Sequence, residues 1–253
     1  MNSMKEKVAL VTGGLSGMGK ACSIAFAQRQ CTVVILDIQD GKAEETVKLC
    51  REAGGEAVYR RCDLFDYKDI ESAYQFITDT YGRLDYAVNC AGFGLPPKPM
   101  DESTYEDAQK LYGINVNAVS MCMIHELRMM KEAGFGRIVN IASGTGLVAA
   151  KGYSLYSAAK HAVVGMTKAA ALDYAKDNIT VNSIAPGTIE TELVASLKVQ
   201  MPEAYEQSKQ ANPCGRLGQP WEIARVVLFL CEDDSSFING TVIPVDGGGT
   251  AGK

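Results

Sequence analysis

The sequence predicts a doubly wound α/β fold: a seven-stranded parallel sheet flanked by helices on both faces, in one domain over residues 1–253. Short apolar runs rich in Val and Ile alternate along the chain with longer segments of helical periodicity. Strands this apolar are typical of a parallel sheet that helices cover on both sides. Strict alternation favours right-handed crossovers, and ligands of such folds bind at the carboxyl ends of the strands.

The predicted strands share short length and β-branched or apolar side chains. They are Val8–Thr12, Thr32–Asp37, Ala57–Cys62, Tyr86–Cys90, Arg137–Ser143, Thr180–Ala185 and Thr241–Val245. Helical spacing fills the intervals and predicts helices near 17–29, 41–53, 67–81, 101–132, 153–175 and 219–231.

Residues 188–214 break this alternation. They follow a strand but carry helical periodicity, and they end at Asn212-Pro213. We interpret the segment as an insertion that covers the substrate and the active site. The alternative is a surface helical hairpin.

The composition excludes several classes of function. A net charge of −5 argues against nucleic-acid binding, for which a basic patch is the usual footprint. The eight cysteines form no C-x-x-C pair and predict reduced thiols in a cytoplasmic protein. The polar stretch 1–7 lacks a signal-peptide pattern, and no apolar run is long enough to cross a bilayer. We therefore expect neither nucleic acid nor membrane as a partner.

A glycine-rich turn follows the first strand and precedes a helix. Glycine there permits a tight turn, lets the backbone approach a pyrophosphate, and lets the helix pack on the strand. The helix N-terminus adds free N–H groups and the positive end of a dipole. The candidate cofactor-binding residues of this turn are Gly13, Leu15, Ser16, Gly17, Met18 and Gly19.

Asp37 ends the second strand, at about the spacing expected for a carboxylate that binds the adenosine ribose hydroxyls. It would repel the 2′-phosphate of NADP, and neither Ile38 nor Gln39 offers a cation. The sequence thus favours NAD over NADP, with Ile38 beside the adenosine. Alternatively, Asp37 is a turn or N-cap residue of the next helix.

Two further strand ends fit the same cleft. Asp63 and Leu64 close the third strand, where Asp63 could hydrogen-bond the adenine. Asn89, Ala91 and Gly92 close the fourth strand, and the small residues would let a cofactor lie against the backbone. Each alone is compatible with an ordinary turn.

Three residues form a candidate catalytic set. Ser143 ends the fifth strand, and Tyr156 and Lys160 share one helix face at i, i+4 spacing. An ammonium beside a phenol, helped by a positive nicotinamide, should lower the phenol pKa and permit proton exchange with an alcohol or carbonyl oxygen. Ser143 could orient that oxygen. Direct hydride transfer requires no metal. The alternative is an exposed helical pair without chemistry.

These motifs together resemble the short-chain dehydrogenase/reductase superfamily over essentially the full chain. Thr12-Gly13-x-x-x-Gly17-x-Gly19 matches its nucleotide motif in a Rossmann-like fold, and Ser143, Tyr156 and Lys160 match its active site. The resemblance implies that Tyr156 and Lys160 also contact the cofactor. It implies that Asn115 holds a water that relays protons from the lysine.

The resemblance also assigns a segment after the sixth strand to the nicotinamide amide and the phosphates. Its residues are Pro186, Gly187, Thr188, Ile189 and Thr191. The family usually has asparagine at the position of Cys90, a departure expected to affect local stability more than activity. Members are commonly homotetramers, so the resemblance implies a homotetramer or homodimer.

The candidate substrate walls at 93–97, 145–148, Tyr153 and 188–214 are largely apolar. They favour NAD-dependent oxidation of an alicyclic, aromatic or steroid-like secondary alcohol, or reduction of its ketone. A 3-oxoacyl reductase and a sugar or polyol dehydrogenase remain alternatives within the family. A nucleotide-sugar epimerase would need a further C-terminal domain, and a non-catalytic NAD-binding protein would not need all four catalytic positions filled. The two histidines, His125 and His161, are too few to predict a metal site.

Overall fold

A computed structural model describes residues 4–252; residues 1–3 of the polar N-terminal stretch, and residue 253, lie outside the described residues. Within 4–252, seven parallel strands form one sheet in the order β3-β2-β1-β4-β5-β6-β7. The strands are β1 Val8–Thr12, β2 Thr32–Asp37, β3 Glu56–Arg61, β4 Tyr86–Asn89, β5 Gly136–Ile141, β6 Ile179–Pro186 and β7 Val242–Val245. The chain order reverses between β1 and β4, which opens a crevice at their carboxyl ends.

Helices cover both faces of the sheet, as predicted. They are α1 Gly17–Gln28, α2 Ala43–Glu52, α3 Tyr67–Tyr81, α4 Tyr105–Tyr112, α5 Ala118–Ala133, α6 Ser154–Tyr174, α7 Glu192–Gln200, α8 Pro202–Gln210 and α9 Pro220–Cys231. One apolar core joins β1 to α1 and α9 through residues such as Phe26 and Val227. The opposite core joins the sheet to α3 and α5 through Ile77 and Met130. Across residues 4–252, every helix is too short or too polar to span a membrane.

The long helix predicted over 101–132 is wrong in its start and its continuity. Thr104 caps α4 by accepting from the Asp107 N–H, and the Asp107 carboxylate accepts from Thr104 in return, so the helix begins at Tyr105. A π-helical turn, Gly113–Asn117, separates α4 from α5. Such single turns place an extra residue in the helix and are frequent at functional sites.

The strand ends also differ from the prediction. β5 ends at Ile141, so Ser143 lies two residues beyond the strand rather than at its last position, and β4 ends at Asn89 rather than Cys90. Residues 188–214 contain two short helices, α7 and α8, that pack on one another. Tyr205 of α8 is buried, and α7 buries none of its side chains. The segment is therefore a helical hairpin whose first residues, Thr191 to Leu193, line a cleft at the carboxyl ends of the strands. That it covers the substrate stays a prediction.

A buried polar network lies beneath the carboxyl end of β4. Glu126 of α5 is fully buried, and its carboxylate accepts from Tyr74 Oη at 2.9 Å and from Asn89 Nδ2 at 3.1 Å. Asn89 Nδ2 also donates to Asn140 Oδ1, and Asn140 Nδ2 donates to Thr167 Oγ1 of α6. Burial raises the pKa of Glu126 to about 7, against the lowering effect of its two hydrogen bonds. The network ties the end of β4 to three helices.

Candidate active site

The glycine turn is shaped by close backbone contacts. Gly13 adopts φ +65°, and a Cβ there would lie 2.9 Å from Ala91 Cα. A Cβ on Gly19 would lie 2.1 Å from the Gly13 carbonyl oxygen, closer than any tolerated contact. The turn therefore packs against both helix α1 and the end of β4 only because these positions lack side chains.

Substitution of Gly19 by alanine should destabilise the protein by about 1–3 kcal/mol, because the new methyl group must push the Gly13 backbone away. The free energy of unfolding in urea measures this. Gly41→Ala is the matched control, since a Cβ on Gly41 would meet nothing within 4 Å. Equal stability of the two variants would contradict the packing argument.

Asp37 organises the turns at the adenosine end of the predicted site. Its Oδ2 accepts from the Leu15 N–H at 3.1 Å, and its Oδ1 accepts from the N–H groups of Ile38 and Gln39 at 2.8 and 3.0 Å. The carboxylate thus has the turn-stabilising role that the sequence left open, and it also lines the cleft. Lys42 lines the same cleft. Lys42 lies five residues after Asp37, beyond the neighbours from which the cofactor preference was predicted.

A cleft of about 690 Å³ runs along the carboxyl ends of the strands, within the size range of cofactor pockets. The predicted residues that line it are Gly13, Ser16, Gly17, Met18, Gly19, Asp37, Ile38, Asp63, Leu64, Ala91, Gly92 and Thr191. Residues that the sequence analysis did not assign to the cofactor also line it: Gln39, Lys42, Cys62, Phe65, Cys90, Phe93, Ile114, Glu192 and Leu193. No local motif marks these residues, because five separate segments of the chain bring them together.

Several predicted residues lie apart from this cleft. The Leu15 side chain is fully buried, and Asn89 belongs to the polar network beneath β4. Pro186 ends β6, and the three residues after it, Gly187, Thr188 and Ile189, line a separate cavity of about 130 Å³. A Cβ on Gly187 would lie 2.9 Å from the Asp246 backbone, so this glycine packs tightly against the loop after β7.

Helix α6 presents Tyr156 and Lys160 on one face. Ser143 lies close enough to the Tyr156 hydroxyl to lower its pKa, while Ser143 Oγ accepts from the N–H and the hydroxyl of Thr145 at 3.2 and 3.1 Å. Lys160 is buried, its Nζ donates to the Ile141 carbonyl at 3.0 Å, and it lies 5.7 Å from the centre of the Tyr156 ring. A Cβ on Gly92 would lie 3.5 Å from Lys160 Nζ, and one on Gly94 would lie 3.9 Å from the Tyr156 ring. The pair therefore lies beside the loop that follows β4.

Burial in the protein favours the uncharged forms of the Tyr156 and Lys160 side chains. Burial raises the pKa of Tyr156 above its ordinary value of 10, although Ser143 acts to lower it. Burial likewise lowers the pKa of Lys160 to about 8. Burial therefore sets the direction of the Tyr156 shift, and the lowering expected from Lys160 is not found. A phenolate at this position needs further positive charge nearby.

Asn115 lies in the π-helical turn and is fully buried. Its Nδ2 donates to the carbonyls of Phe93 at 2.9 Å and Leu111 at 3.1 Å, which fixes the loop after β4 to this helix. Within residues 4–252 its Oδ1 has no hydrogen-bond partner, and a Cβ on Gly92 would lie 2.5 Å from that atom. A buried acceptor without a partner suits a bound water or ligand group. The water relay itself stays a prediction.

The histidines lie in packing positions. His125 stacks on Tyr74 with ring centres 4.9 Å apart, and His161 Nδ1 bonds the Ser157 carbonyl. Within residues 4–252, no group of three or more His, Cys, Asp or Glu side chains is arranged to hold a metal ion.

A doubly wound parallel sheet, a glycine turn at its switch point and an adjacent Ser-Tyr-Lys set define a Rossmann-like oxidoreductase. More specifically, the chain belongs to the short-chain dehydrogenase/reductase superfamily, since residues 13–250 match a family model described as enoyl-(acyl carrier protein) reductase. The family predicted from the sequence is thereby confirmed.

Individual relatives are similar over nearly their whole length. Cyclohexanol dehydrogenase of Acinetobacter sp. (strain SE19) is 40% identical over 250 residues, which cover 99% of this chain and 97% of the relative. The cis-4-hydroxycyclohexanecarboxylate dehydrogenase of Sinomonas cyclohexanicum is 38% identical over 246 residues, 97% of each chain. The crystal structure of levodione reductase superposes with a TM-score of 0.93 at 35% identity, covering 98% of this chain and 99% of the other.

Similar solved structures carry both forms of the nicotinamide cofactor. ElxO with NADP bound has a TM-score of 0.91 at 31% identity and covers 98% of this chain and 100% of the other. NAD⁺-bound xylitol dehydrogenase has a TM-score of 0.90 at 30% identity, over 96% and 99% of the two chains. The comparisons support an oxidoreductase that acts on an alcohol or ketone.

Proposed function

We propose that this chain is an NAD-dependent dehydrogenase of alicyclic secondary alcohols that also catalyses the reverse ketone reduction. The observation that carries the proposal is the Tyr156 hydroxyl beside Ser143, with Lys160 one helical turn away and next to Gly92, which lines the cleft. Relatives named for cyclohexanol and a hydroxycyclohexane carboxylate support the alicyclic substrate.

In this mechanism a bound nicotinamide ring supplies hydride exchange with the substrate carbon and a positive charge near the phenol. Ser143 hydrogen-bonds the substrate oxygen, and Tyr156 Oη takes its proton during oxidation or returns it during reduction. Lys160, whose Nζ donates to the Ile141 carbonyl, stabilises the Tyr156 phenolate as long as the lysine itself is protonated. Asn115 positions the loop of Gly92 and offers Oδ1 to a water that leads protons away from Lys160.

The surroundings of Tyr156 support an uncharged, apolar substrate. The Tyr153 ring lies 6.4 Å from the Tyr156 ring, edge to face, and Leu95 and Pro96 line a small cavity with both tyrosines. The charges of Lys98 and Asp107 in that cavity are paired with each other. This cavity of about 20 Å³ is too small for a ring, so only the apolar character of its walls favours an alicyclic substrate over a polyol, whose hydroxyls would need polar partners.

The direct test is a spectrophotometric screen of the purified protein with NAD and NADP. Cyclohexanol, substituted cyclohexanols, xylitol and a 3-oxoacyl thioester are the substrates, the last assayed with NADH and NADPH. We expect the highest kcat/KM for a cyclohexanol with NAD. If the protein turns over the thioester or xylitol but no cyclohexanol, the proposed substrate class is refuted.

The preference for NAD depends on Asp37 in this proposal. Asp37→Ala should raise kcat/KM with NADP at least tenfold relative to that with NAD, because it removes a carboxylate that would repel the 2′-phosphate and leaves the cation Lys42 in the cleft. Steady-state kinetics with both cofactors measure the ratio. The double variant Asp37→Ala/Lys42→Ala should lose most of this gain. An unchanged ratio in the single variant would contradict the ribose contact.

We further propose a homo-oligomer. Leu172 of α6 is 82% exposed, and Ile124 of α5 and Phe229 of α9 are also exposed. Large apolar side chains on the long helices would be covered by a second copy of the chain.

A further inference from the structure

The N-terminus of helix α1 receives its acidic partner from a distant part of the chain. Glu192, the first residue of α7, accepts a hydrogen bond at its Oε2 from the Gly17 N–H at 2.9 Å, although 175 residues separate the two. The Ser16 side chain makes no capping hydrogen bond, and the first turn of α1 contains no acidic residue. A carboxylate is favourable at this position because it pairs with a free N–H and the positive end of the helix dipole.

The same N–H belongs to the cofactor site. Gly17 and Glu192 both line the 690 Å³ cleft, as do Met18 and Gly19. Under the proposed function, the free N–H groups at the start of α1 bind the dinucleotide pyrophosphate. One N–H cannot serve a carboxylate and a phosphate together, and two anions this close repel each other.

Thr191, the residue before Glu192, supports the contact between Glu192 and Gly17. A Cβ on Gly17 would lie 2.9 Å from the Thr191 methyl group, so the residue before Glu192 packs directly on the glycine. Thr191 also caps α7 by accepting from the Val194 N–H. Glu192 itself is exposed, so burial of its side chain does not explain its position.

We propose that Glu192 sets the affinity for the dinucleotide by competing with the pyrophosphate for the start of α1. The inference rests on the proposed function, because the competing ligand is the cofactor expected in this cleft. Binding displaces the carboxylate from Gly17, and release of the nucleotide restores the contact between α7 and α1. Thr191 to Leu193, at the start of the helical hairpin, line this cleft and connect the hairpin to the start of α1.

Ligands with and without phosphate distinguish competition between Glu192 and the pyrophosphate from a general change in the structure of the variant. Glu192→Gln removes the charge at nearly constant shape, and Glu192→Ala removes the acceptor as well. Both variants should bind ADP-ribose and NADH about three- to tenfold more tightly than the wild type, the range that an exposed charge at a helix N-terminus can produce together with phosphate repulsion. Binding of adenosine, which has no phosphate, should stay unchanged.

The experiment is isothermal titration calorimetry of the full chain with ADP-ribose, NADH and adenosine, at low and moderate salt. Glu203→Gln is the matched control, since it removes the same charge from an exposed position on α8 outside the cleft. The proposal is supported if both Glu192 variants bind ADP-ribose more tightly than the wild type and Glu203→Gln does not. Unchanged or weaker binding in them, or an equal gain in Glu203→Gln, overturns it. Failure of the wild type to bind NADH or ADP-ribose would instead refute the proposed function, and this inference with it.

Discussion

Replacement of Tyr156 by phenylalanine should lower kcat by about 10²–10⁴-fold, the usual contribution of a positioned proton donor or acceptor. The substitution removes only the hydroxyl. The ring keeps its edge-to-face contact with Tyr153, and the helix keeps its register, so α6 should stay in place. Binding of NADH, measured by its fluorescence, should change little, whereas the turnover of a cyclohexanol should nearly vanish.

The neighbouring ring offers a control for this experiment. Tyr153→Phe removes the same atom from a tyrosine three residues away and should keep most of the turnover, because no proton transfer is assigned to it. A Tyr156→Phe variant that retained the wild-type kcat would refute the mechanism. A variant that lost NADH binding together with activity would indicate a structural role for the hydroxyl instead.

The sheet could be predicted almost completely from the sequence. The five central strands are buried and leave a strong pattern, whereas the edge strands β3 and β7 are only partly buried. Each predicted strand overlaps the observed one, with bounds shifted by at most two residues. The helix predicted over 101–132 failed where hydrophobic periodicity could not show a change of helix type. The π turn at Gly113–Asn117 depends on the inward packing of Asn115, a tertiary contact that local spacing does not encode.

The residues of the cleft also divide into those that the sequence could predict and those that only the fold brings together. The glycine turn and Asp37 follow from motif and spacing, since they belong to one β-α-β unit. Lys42 and Glu192 come from outside the motif, and only folding places them beside it. The pKa of Tyr156 also could not be derived from the i, i+4 pair alone, because burial dominates its shift, and burial is a property of the whole fold.

The buried Glu126 should make the stability of the protein fall as the pH rises from about 5 to 8. The unfolded chain loses this proton near the ordinary pKa of 4.5, whereas burial raises the pKa in the folded protein to about 7. Between these pKa values the folded state binds more protons than the unfolded state. The contribution of Glu126 to stability is therefore fully present below pH 4.5 and is lost as the pH rises through about 7. A difference of this size corresponds to roughly 3 kcal/mol.

Urea unfolding of the wild type and of Glu126→Gln at several pH values measures this contribution. Other groups titrate in the same range, among them His125, whose ring stacks on the Tyr74 that donates to Glu126. Contributions from groups distant from Glu126 are common to both proteins and cancel in the difference. Glutamine has one acceptor oxygen where Glu126 receives two donors, so the variant should be less stable at pH 5. Its deficit should then shrink as the pH rises, because only the wild type must keep a carboxylate without a cation partner in the core. A deficit that is the same at pH 5 and pH 8 would show that Glu126 is ionised throughout, and that the network beneath β4 stabilises its charge as well as water does.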